Sequence, residues 1–424
     1  MSSTALFRTE AETAKRGLEQ CGPIFVDTTL GKISLHLTDD WANLQAPWEA
    51  LHEVAACSAA QTYDWARGIA RHVLGPEGRE AVIAVGYGTD GAPLLLWPFE
   101  MAKTAGMPVL SWLGHDHANY NMGLFAPDAA ERFNADDISR LLGAVGREAG
   151  ASAAVLTAQP EAWDGIPNPF AKLPHQVAPN SGSAVKLGDF DTLFKERFSK
   201  RSRSTLNRKE RKLLELQPLA YGWAETTDER LALMDVFFAQ KTRQFAEMGV
   251  KNVFDVHARA FYREVALLEG DNPSRLHLGF LKAGDDIAAT FSGTVCHNRM
   301  AVSLSSLAEG EVQRYSPGGL LLRQQIEEFC EKGLALYDMG VGEARHKTEW
   351  CEITQPLFDS FIALKPQGLI LTQALAVMAR GKRVIKTNRH LWPLVQRWRR
   401  TLLARKADGA GTRSTHGGDA AEEA

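Results

Sequence analysis

The apolar residues of the chain follow the same order of helical and strand patterns twice. In the first half, two helix-spaced stretches precede three apolar runs, a third helical stretch and a last apolar run: PWEALHEVAAC, YDWARGIARHV, EAVIAVGYG, PLLLWPFEM, PVLSWLG, DISRLLGAVGREAG and SAAVLTA. The second half repeats this order with DERLALMDVFFAQKTRQF, HARAFYREVALL, RLHLGFLK, IAATFSGTV, MAVSLSSLA, GGLLLRQQIEEFCEK and LALYDMG. Apolar residues three or four apart favour helices, whereas short apolar runs between turn residues favour strands. The pattern therefore predicts two copies of one α/β module of the α+β type.

The segments around the two modules differ from them in composition. Residues Pro167 to Gly188 are rich in Pro, Asn, Ser and Gly, which is typical of a connecting segment. After Lys406 the residues are small and polar without apolar periodicity, which is typical of disorder. We assign 1–35 to an N-terminal extension, 36–180 to the first module, 181–225 to a crossing segment with a basic helix, 226–365 to the second module, 366–406 to a basic C-terminal helical segment and 407–424 to a disordered tail.

Composition and charge exclude several classes of protein. With 424 residues, 45% of them hydrophobic, the chain can fill the cores of two domains. The net charge of −3 argues against a DNA-binding protein. The five cysteines include no CxxC pair, so we expect neither a disulfide framework nor a thiolate zinc site, and a reducing cytoplasm fits best. The N-terminus is not typical of a secretory signal, and no apolar run reaches the ~20 residues of a membrane-spanning helix.

Positive charge is concentrated in two segments. A predicted helix carries a dense basic run from Lys195 to Lys212, which is either a solvated face or a surface for anions. No acidic residue occurs between Asp359 and Asp408, and this segment contains an apolar stripe beside several arginines, formed by Leu391, Leu394, Val395 and Trp398. A basic amphipathic helix of this kind either makes peripheral contact with an anionic membrane surface or docks onto the second module.

A loop-to-helix junction in the second module has the residues of a phosphate-binding site. The predicted strand MAVSLSSLA leads into EGEVQRYSPGG, and a helix begins just after it. The N–H groups of a first helical turn have no partner inside the helix and favour negative charge, and glycines let a ligand approach them. The candidate cofactor-binding residues are Arg314, Tyr315, Ser316, Gly318 and Gly319. The alternative is that Ser316 only caps the helix and Pro317 only starts it.

Ionisable residues are clustered after the next predicted strand, in YDMGVGEARHKTEW. Open α/β sheets bind ligands beyond the carboxyl ends of their strands, which is where this cluster falls. The candidates for proton transfer are Asp338, Glu343 and His346, with Lys347 assisting charge stabilisation. Histidine has an unperturbed pKa of about 6.5, which suits this role.

The second module resembles the acetyltransferase domain of the GNAT superfamily found in CelD-type proteins of bacterial cellulose biosynthesis. The resemblance rests on the RYSPGG loop, the helix after it and YDMGVGEARHKTEW; it is sharpest from Arg314 to Trp350 and extends from Trp48 to Leu364. It implies tandem GNAT-like modules, each with a mixed, mostly antiparallel sheet flanked by helices, and a distant relation to the Fem-type aminoacyl transferases. It also implies that Arg314 to Gly319 hold the pyrophosphate of acetyl-CoA or another acyl-CoA. The glycines come one residue later than in the usual family pattern.

The HDHANYN stretch of the first module is more typical of an acceptor-binding loop than of a metal site. His115 and His117 flank Asp116, but no third ligand is evident, so we expect no metal. The family resemblance implies an acceptor held between the two modules. This loop is therefore expected to contact the acceptor.

Three functions are compatible with these features. An N-acetyltransferase-type enzyme would transfer an acyl group from acyl-CoA to an amine or hydroxyl of a polysaccharide or cell-envelope precursor, without a covalent nucleophile. A Fem-like enzyme would use aminoacyl-tRNA as the donor, but the long helical hairpin of those relatives is not evident. A non-catalytic scaffold in exopolysaccharide assembly would keep the fold without turnover. We predict the first function, in the cytoplasm.

Overall fold

Each half of the chain forms a sheet with helices packed against it. A computed structural model describes residues 22–114 and 117–388. The strands of the first half are β1 (Ile24–Thr28), β2 (Gly31–Thr38), β3 (Glu80–Tyr87), β4 (Pro93–Thr104), β5 (Met107–Trp112), β6 (Leu124–Phe125), β7 (Ala153–Pro160), β8 (Ala162–Trp163), β9 (Ile166–Pro167) and β10 (Gln176–Val177). Its helices are α1 (Trp41–His52), α2 (Tyr63–Ile69), α3 (Pro127–Arg132) and α4 (Ala135–Glu148).

The remainder of the described chain contains eight strands and seven helices. The strands are β11 (Gly182–Lys186), β12 (Leu219–Trp223), β13 (Leu276–Ala283), β14 (Asp286–Cys296), β15 (Arg299–Leu307), β16 (Leu336–Val341), β17 (Ile353–Gln355) and β18 (Leu357–Ala363). The helices are α5 (Phe190–Arg197), α6 (Lys200–Leu216), α7 (Thr227–Met248), α8 (Val256–Ala266), α9 (Pro317–Glu331), α10 (Arg345–Trp350) and α11 (Gly368–Thr387). Short 3-10 or π turns lie at Ala59–Gln61, Ala70–Leu74, Gly75–Glu77, Pro169–Lys172 and Glu311–Tyr315.

Both sheets are mixed and mostly antiparallel, which confirms the predicted fold class. The first has the strand order β1-β2-β3-β4-β5-β7-β18-β10, and the second has the order β12-β13-β14-β15-β16-β11-β17. Each contains one parallel pair, β5 with β7 and β15 with β16, at the equivalent place in the repeated order. The predicted repeat of two helices, three strands, a helix and a strand is therefore present in both halves.

The two sheets are completed by strands that lie beyond the repeats. Strand β18, from the end of the second half, pairs antiparallel with β7 of the first sheet. Strand β11, from the crossing segment, pairs antiparallel with β16 of the second sheet. At the other end, β1 and β2 extend the first sheet, although residues 24–35 were assigned to an extension outside it. Each sheet therefore depends on chain that the sequence pattern did not place in it.

Helix starts follow from short polar motifs in the sequence. Helix α7 begins after Thr226, whose hydroxyl accepts a hydrogen bond from the Glu229 N–H, while the Glu229 carboxylate accepts one from the Thr226 N–H. This reciprocal arrangement satisfies N–H groups that have no partner inside the helix. Helix α7 ends at Gly249, which has a φ of +59°, as is common for glycine just after a helix.

One hydrophobic core lies between the two modules. It joins α1, α2 and β3 of the first half to α7, α8 and β13 of the second. The ring of Trp65 in α2 packs edge-on against Phe261 in α8, with centroids 5.0 Å apart. Two further cores lie within the separate modules. Burial of aromatic side chains between the modules fixes their relative placement.

The C-terminal helix α11 is only partly covered. Leu371 packs on Val109 and Ala153, whereas Ile370, Val377 and Met378 are exposed. None of the described helices is long and apolar enough to cross a bilayer. The apolar stripe of Leu391, Leu394, Val395 and Trp398, the N-terminal 21 residues and the predicted tail at 407–424 all lie outside the described residues.

A substitution in β18 tests whether the second half stabilises the first sheet. Phe358 is fully buried in the core of the first module. We expect Phe358→Ala to lower the free energy of unfolding by about 3–5 kcal/mol, because it removes buried apolar contacts and leaves a cavity. The measurement is urea unfolding of the full chain. The control is Phe25→Ala in β1, since Phe25 is 63% exposed and its loss should change the free energy of unfolding by less than about 0.5 kcal/mol. Equal effects of the two substitutions would show that β18 does not stabilise the first sheet.

Candidate functional site

A cleft of roughly 940 Å³ opens on the second module, above the first turn of α9. Its walls come from helices α6, α7 and α10, from the middle of strand β14 and from the end of strand β15. Of the nine residues proposed from the sequence, four line it: Ser316, Gly318, Gly319 and His346. The structure therefore brings the loop-to-helix junction and one candidate base to the same cleft.

The start of α9 is built differently from an ordinary capped helix. Ser316 has a φ of +57° and makes no side-chain cap to the helix, so the capping alternative is wrong, whereas Pro317 does occupy the first helical position. The Ser316 hydroxyl instead accepts a hydrogen bond of 2.6 Å from Lys209 Nζ of α6. The first N–H groups of α9 are thus left without a side-chain cap, and a lysine lies beside them. Both features favour an anion.

The two glycines of the junction have different roles. A Cβ atom on Gly318 would lie 2.8 Å from Leu307 Cδ2, so the absence of a side chain there lets α9 pack close to β15 without displacing this leucine. A Cβ atom on Gly319 would have no neighbour closer than 3.8 Å, which is ordinary contact. Gly319 therefore leaves open space on the cleft side, and Gly318 keeps the helix close to the sheet.

Arg314 and Tyr315 do not line the cleft. Arg314 pairs with Glu311, donates a hydrogen bond of 2.7 Å to the Tyr315 hydroxyl and lies over the Tyr315 ring at 4.9 Å. The cations on the cleft wall belong mainly to the basic helix α6 and its neighbours, namely Arg197, Arg201, Lys209 and Arg345. The dense basic run was visible in the sequence, but its contact with the α9 junction was not. Arg197 is paired with Glu352 at 2.9 Å, and Arg345 with Glu349 at 2.8 Å.

His346 is half-buried on the opposite wall of the cleft. Its ring packs edge-on against Phe291, with centroids 6.0 Å apart. Burial lowers the pKa of His346 below its ordinary value, and the positive charge of the adjacent Lys347 lowers it further. The imidazole is therefore neutral near pH 7 and can accept a proton.

Asp338 is buried away from the cleft and is fully engaged in a polar network. One carboxylate oxygen accepts hydrogen bonds from the Tyr120 hydroxyl at 2.8 Å and the Gly340 N–H at 2.7 Å. The other accepts from Arg299 Nη1 at 2.8 Å. Because its oxygens are bound by protein groups and its side chain is 1% exposed, we interpret Asp338 as a structural residue and not as the base.

Arg299 extends this network into the first module. Its Nη2 donates a hydrogen bond of 2.6 Å to Asp164, and its guanidinium lies 4.0 Å from the centre of the Trp163 ring. Tyr120, also of the first module, packs against Trp163 with ring centroids 4.7 Å apart. Burial and the neighbouring Asp338 carboxylate raise the pKa of Tyr120, so its hydroxyl stays protonated and donates. The network therefore links the two modules.

The remaining two sequence candidates lie outside the cleft as well. Lys347 Nζ donates hydrogen bonds to the backbone oxygens of Gly340 at 3.1 Å and Val341 at 3.0 Å, which holds the end of β16. Burial lowers the pKa of Lys347, whereas the Asp338 carboxylate raises it. Glu343 is exposed in the turn between β16 and α10. Neither Glu343 nor Lys347 lines the cleft.

Strands β15 and β16 separate beside the cleft. Their parallel pairing covers three residue pairs and ends at Ala301 and Asp338. Beyond this point Asn119 of the first module lies between the strands, donating to the Val302 oxygen at 3.2 Å and accepting from the Val341 N–H at 3.4 Å. The described part of the loop HDHANYN thus places Asn119 between two strands of the second sheet. His115 and Asp116 of this loop lie outside the described residues.

Sequence reasoning missed a polar network beneath the cleft. The Ser306 hydroxyl of β15 donates to the Gln240 amide oxygen of α7 at 2.7 Å and is hydrogen-bonded to the Thr290 hydroxyl of β14 at 2.8 Å. These residues are buried. The signal was present as hydroxyl side chains at inward positions of two otherwise apolar strands, but their partner on α7 could not be identified without the tertiary structure.

Removing Asp338 tests its structural role. We expect Asp338→Ala to lower the free energy of unfolding by about 3–5 kcal/mol, because Arg299 and Tyr120 would remain buried without this partner. Urea unfolding measures this effect, with Asp286→Ala, at an exposed position of β14, as the control. A variant as stable as the wild-type protein would show that the network is not structural.

Comparisons with known proteins agree with this fold. Residues 200–348 match the family model described as acetyltransferase (GNAT) domain. The crystal structure of FemX is 12% identical, with a TM-score of 0.54 over 77% of this chain and 98% of that chain. The C-terminal domain of a putative lysylphosphatidylglycerol synthetase from Agrobacterium fabrum is 13% identical, with a TM-score of 0.48 over 81% of this chain and 97% of that chain. A tandem GNAT protein from the clavulanic acid biosynthesis pathway is 12% identical, with a TM-score of 0.40 over 78% and 99%.

No curated protein matches the chain in sequence. At such low identity the likeness to FemX shows the fold alone. The CelD-like type and the link to cellulose stay predictions. Residues 200–348, which contain the basic helix, the α9 junction and His346, match the acetyltransferase (GNAT) domain model, and the fold of the chain is similar to that of FemX.

Proposed function

We propose that this protein is an acyltransferase that uses acetyl-CoA or another acyl-CoA and acylates an amine or hydroxyl of a polysaccharide or cell-envelope precursor. The observation that carries the proposal is the uncapped first turn of α9, which opens into a cleft of roughly 940 Å³ beside Lys209. Helix N-termini bind phosphate through free N–H groups and the helix dipole. Acyl-CoA combines a pyrophosphate with a long, narrow arm, and this cleft lies near the upper end of the usual volume range for ligand pockets.

The donor phosphates would lie between α9 and α6. The open space at Gly319 lets an oxygen approach the α9 N–H groups, and Lys209 and Arg201 supply positive charge from α6. The acyl arm would then run toward Phe291 and His346, where strands β14 and β15 border the cleft. Ser305 and Ser306 of β15 make this part of the cleft wall polar.

His346 would accept the proton of the attacking group. It lines the cleft, and its lowered pKa keeps the ring neutral near pH 7. A neutral imidazole can take a proton from an amine or hydroxyl as the new bond to the acyl carbon forms. The thioester bond then breaks and CoA leaves as the thiol after it is protonated. No covalent enzyme intermediate is required.

The acceptor would approach from the side of the first module. Asn119 and Tyr120 belong to the inserted loop and contact Val302, Val341 and Asp338 at the point where β15 and β16 separate. A loop held this rigidly by the second sheet can orient a second substrate relative to the donor. The chemical identity of the acceptor as a polysaccharide or envelope precursor rests on the family resemblance.

A charged substitution at Gly319 tests the donor site directly. We expect Gly319→Asp to weaken acetyl-CoA binding about tenfold or more, because a carboxylate would occupy the anion position at the helix N-terminus. Lys209→Ala should weaken it in the same direction, since it removes the cation beside Ser316. Titration calorimetry of the full chain with acetyl-CoA measures both effects.

A matched variant controls for this experiment. Lys212→Ala removes an exposed lysine of α6 that does not line the cleft. It should bind acetyl-CoA like the wild-type protein. Unchanged binding by Gly319→Asp and Lys209→Ala would exclude the α9 junction as the donor site. Binding that is intact but never followed by CoA release would favour the scaffold function.

The pH profile tests His346 as the base. We expect kcat to fall only below the ordinary histidine pKa of about 6.5, because burial lowers the pKa of His346 and the ring must be unprotonated to act. His346→Gln should lower kcat about 10²–10⁴-fold and leave acetyl-CoA binding unchanged. The assay follows release of the CoA thiol with whichever amino sugar gives the fastest wild-type turnover. The exposed His257→Gln is the control, and an unaltered kcat in His346→Gln would rule out this role.

Aminoacyl-tRNA is a second candidate donor, and a specific observation favours it. Helix α6 has a further basic surface facing away from the cleft, formed by the exposed residues Lys200, Arg208, Arg211 and Lys212. This surface is larger than one CoA needs and suits a polyanion. Charge reversal at Arg208, Arg211 and Lys212 would weaken binding of charged tRNA in a filter assay if tRNA is the donor, whereas acetyl-CoA binding would not change. Failure of the unaltered protein to retain tRNA would exclude this candidate.

A further inference from the structure

Four metal-ligating side chains meet where the two modules join. They are His52, Cys57, Cys296 and His297, and the atoms that each offers to a metal all lie within 4.8 Å of one another. Both cysteines are buried, His52 is half-buried and His297 is exposed. None of the four lines the cleft of the proposed donor site. The cluster is therefore a separate feature of the fold, with one member at the surface where an ion could enter.

Rigid elements from both modules hold this cluster. His52 is the last residue of α1, and Cys57 follows a few residues later in the first module. Cys296 is the last residue of β14, and His297 begins the two-residue turn to β15. The rings of His52 and His297 stack with centroids 5.2 Å apart, and His52 Nε2 lies 3.6 Å from Cys296 Sγ. The four donors are thus positioned by tertiary contacts and not by one local motif.

The backbone at His297 has a positive φ, which is uncommon for a residue other than glycine. Its φ is +51°, a conformation that glycine or asparagine adopts more readily in a two-residue hairpin turn. The side chain turns back over α1, where its Nε2 lies 3.3 Å from the His52 backbone oxygen. A histidine in this strained position directs an imidazole toward the other three donors. Such strain commonly marks functional positions.

The donor set determines which metal would fit. Two thiolates and two imidazoles are the ligands of structural zinc, which is tetrahedral with Zn–S distances of about 2.3 Å and Zn–N distances of about 2.0 Å. A tetrahedron with those bonds places its ligand atoms roughly 3.3–3.8 Å apart. The observed separations, at most 4.8 Å, require the widest pairs to close by about 1 Å on binding. Magnesium and calcium prefer oxygen ligands and do not fit.

We propose that His52, Cys57, Cys296 and His297 bind one structural zinc ion that joins the two modules. Each cysteine thiol gives its proton to solvent as its sulfur binds the metal. All four positions are filled by protein, so the ion would stabilise the junction and not activate water. The sequence analysis expected no metal because it considered spacing within short stretches. The two halves of this site lie in different modules and contain no CxxC pair.

Metal content and cobalt spectroscopy test the site. The full chain without an affinity tag is purified under reducing conditions without chelator, and zinc is measured by mass spectrometry; we expect about one ion per chain, as four-ligand structural sites bind. Exchange with Co²⁺ should give the visible bands of tetrahedral cobalt and a near-ultraviolet thiolate-to-cobalt band. Cys57→Ser and Cys296→Ser should lose the thiolate band.

One variant separates loss of metal from loss of folding. His297→Asn changes an exposed residue, and asparagine tolerates the positive φ of this turn, so the variant should fold. We expect it to lose zinc to a chelator concentration that leaves the wild-type protein loaded. Chelator should lower the melting temperature of the wild-type protein but not that of His297→Asn. Cys330→Ser and His257→Gln change a cysteine and a histidine outside the cluster and should keep the metal.

Three results would overturn the proposal. The first is wild-type protein with reduced thiols that contains no zinc and takes up no Co²⁺. The second is equal Co²⁺ binding by His297→Asn, Cys296→Ser and the wild-type protein, which would locate the metal elsewhere. The third is a Cys57–Cys296 disulfide in the isolated protein, detected by peptide mass spectrometry, because oxidised sulfurs cannot act as thiolate ligands.

Discussion

The pairing of β18 with the first sheet is the constraint on which the rest of the structure depends. Strand β18 comes from the end of the second half but pairs with β7 of the first sheet, whereas β11 from the crossing segment completes the second sheet. Because backbone hydrogen bonds must be satisfied along a buried strand, the two modules cannot separate without breaking the first sheet. This fixes the contacts across the junction, including the Tyr120–Asp338–Arg299 network and the cluster of His52, Cys57, Cys296 and His297.

Packing and hydrogen bonds between separate elements position the walls of the cleft. Gly318 allows α9 to pack against Leu307 of β15, and this packing directs the first turn of α9 toward α6. Lys209 of α6 then reaches Ser316, whose own conformation leaves the helix uncapped. Positive charge and free N–H groups therefore meet at one place. This arrangement suits a phosphate-containing ligand, and it places the basic helix against the cleft instead of leaving it only as a solvated face.

Burial separates the ionisable residues that appeared equivalent in the sequence. Asp338 lies in β16 and His346 follows this strand within a few residues, but Asp338 is enclosed by Tyr120, Arg299 and the Gly340 N–H, whereas His346 lines the cleft. Lys347, adjacent to His346, points to the other side and binds the backbone at Gly340 and Val341. His346 and Lys347 are separated because both lie in the short helix α10, where neighbouring residues face in different directions.

The sequence by itself determined the repeated order of elements and the presence of a helix after the RYSPGG loop, because these follow from local periodicity and glycine. The mixed, mostly antiparallel sheets were expected from the family resemblance. Sequence reasoning also proposed Ser316, Gly318, Gly319 and His346, which line the cleft, because phosphate sites and bases have short local signals. Only the tertiary structure decided that Arg314, Tyr315, Asp338, Glu343 and Lys347 lie off the cleft, that Lys209 lies on it, and that β18 belongs to the first sheet. These outcomes depend on contacts between residues far apart in the chain, and local sequence patterns do not specify such contacts.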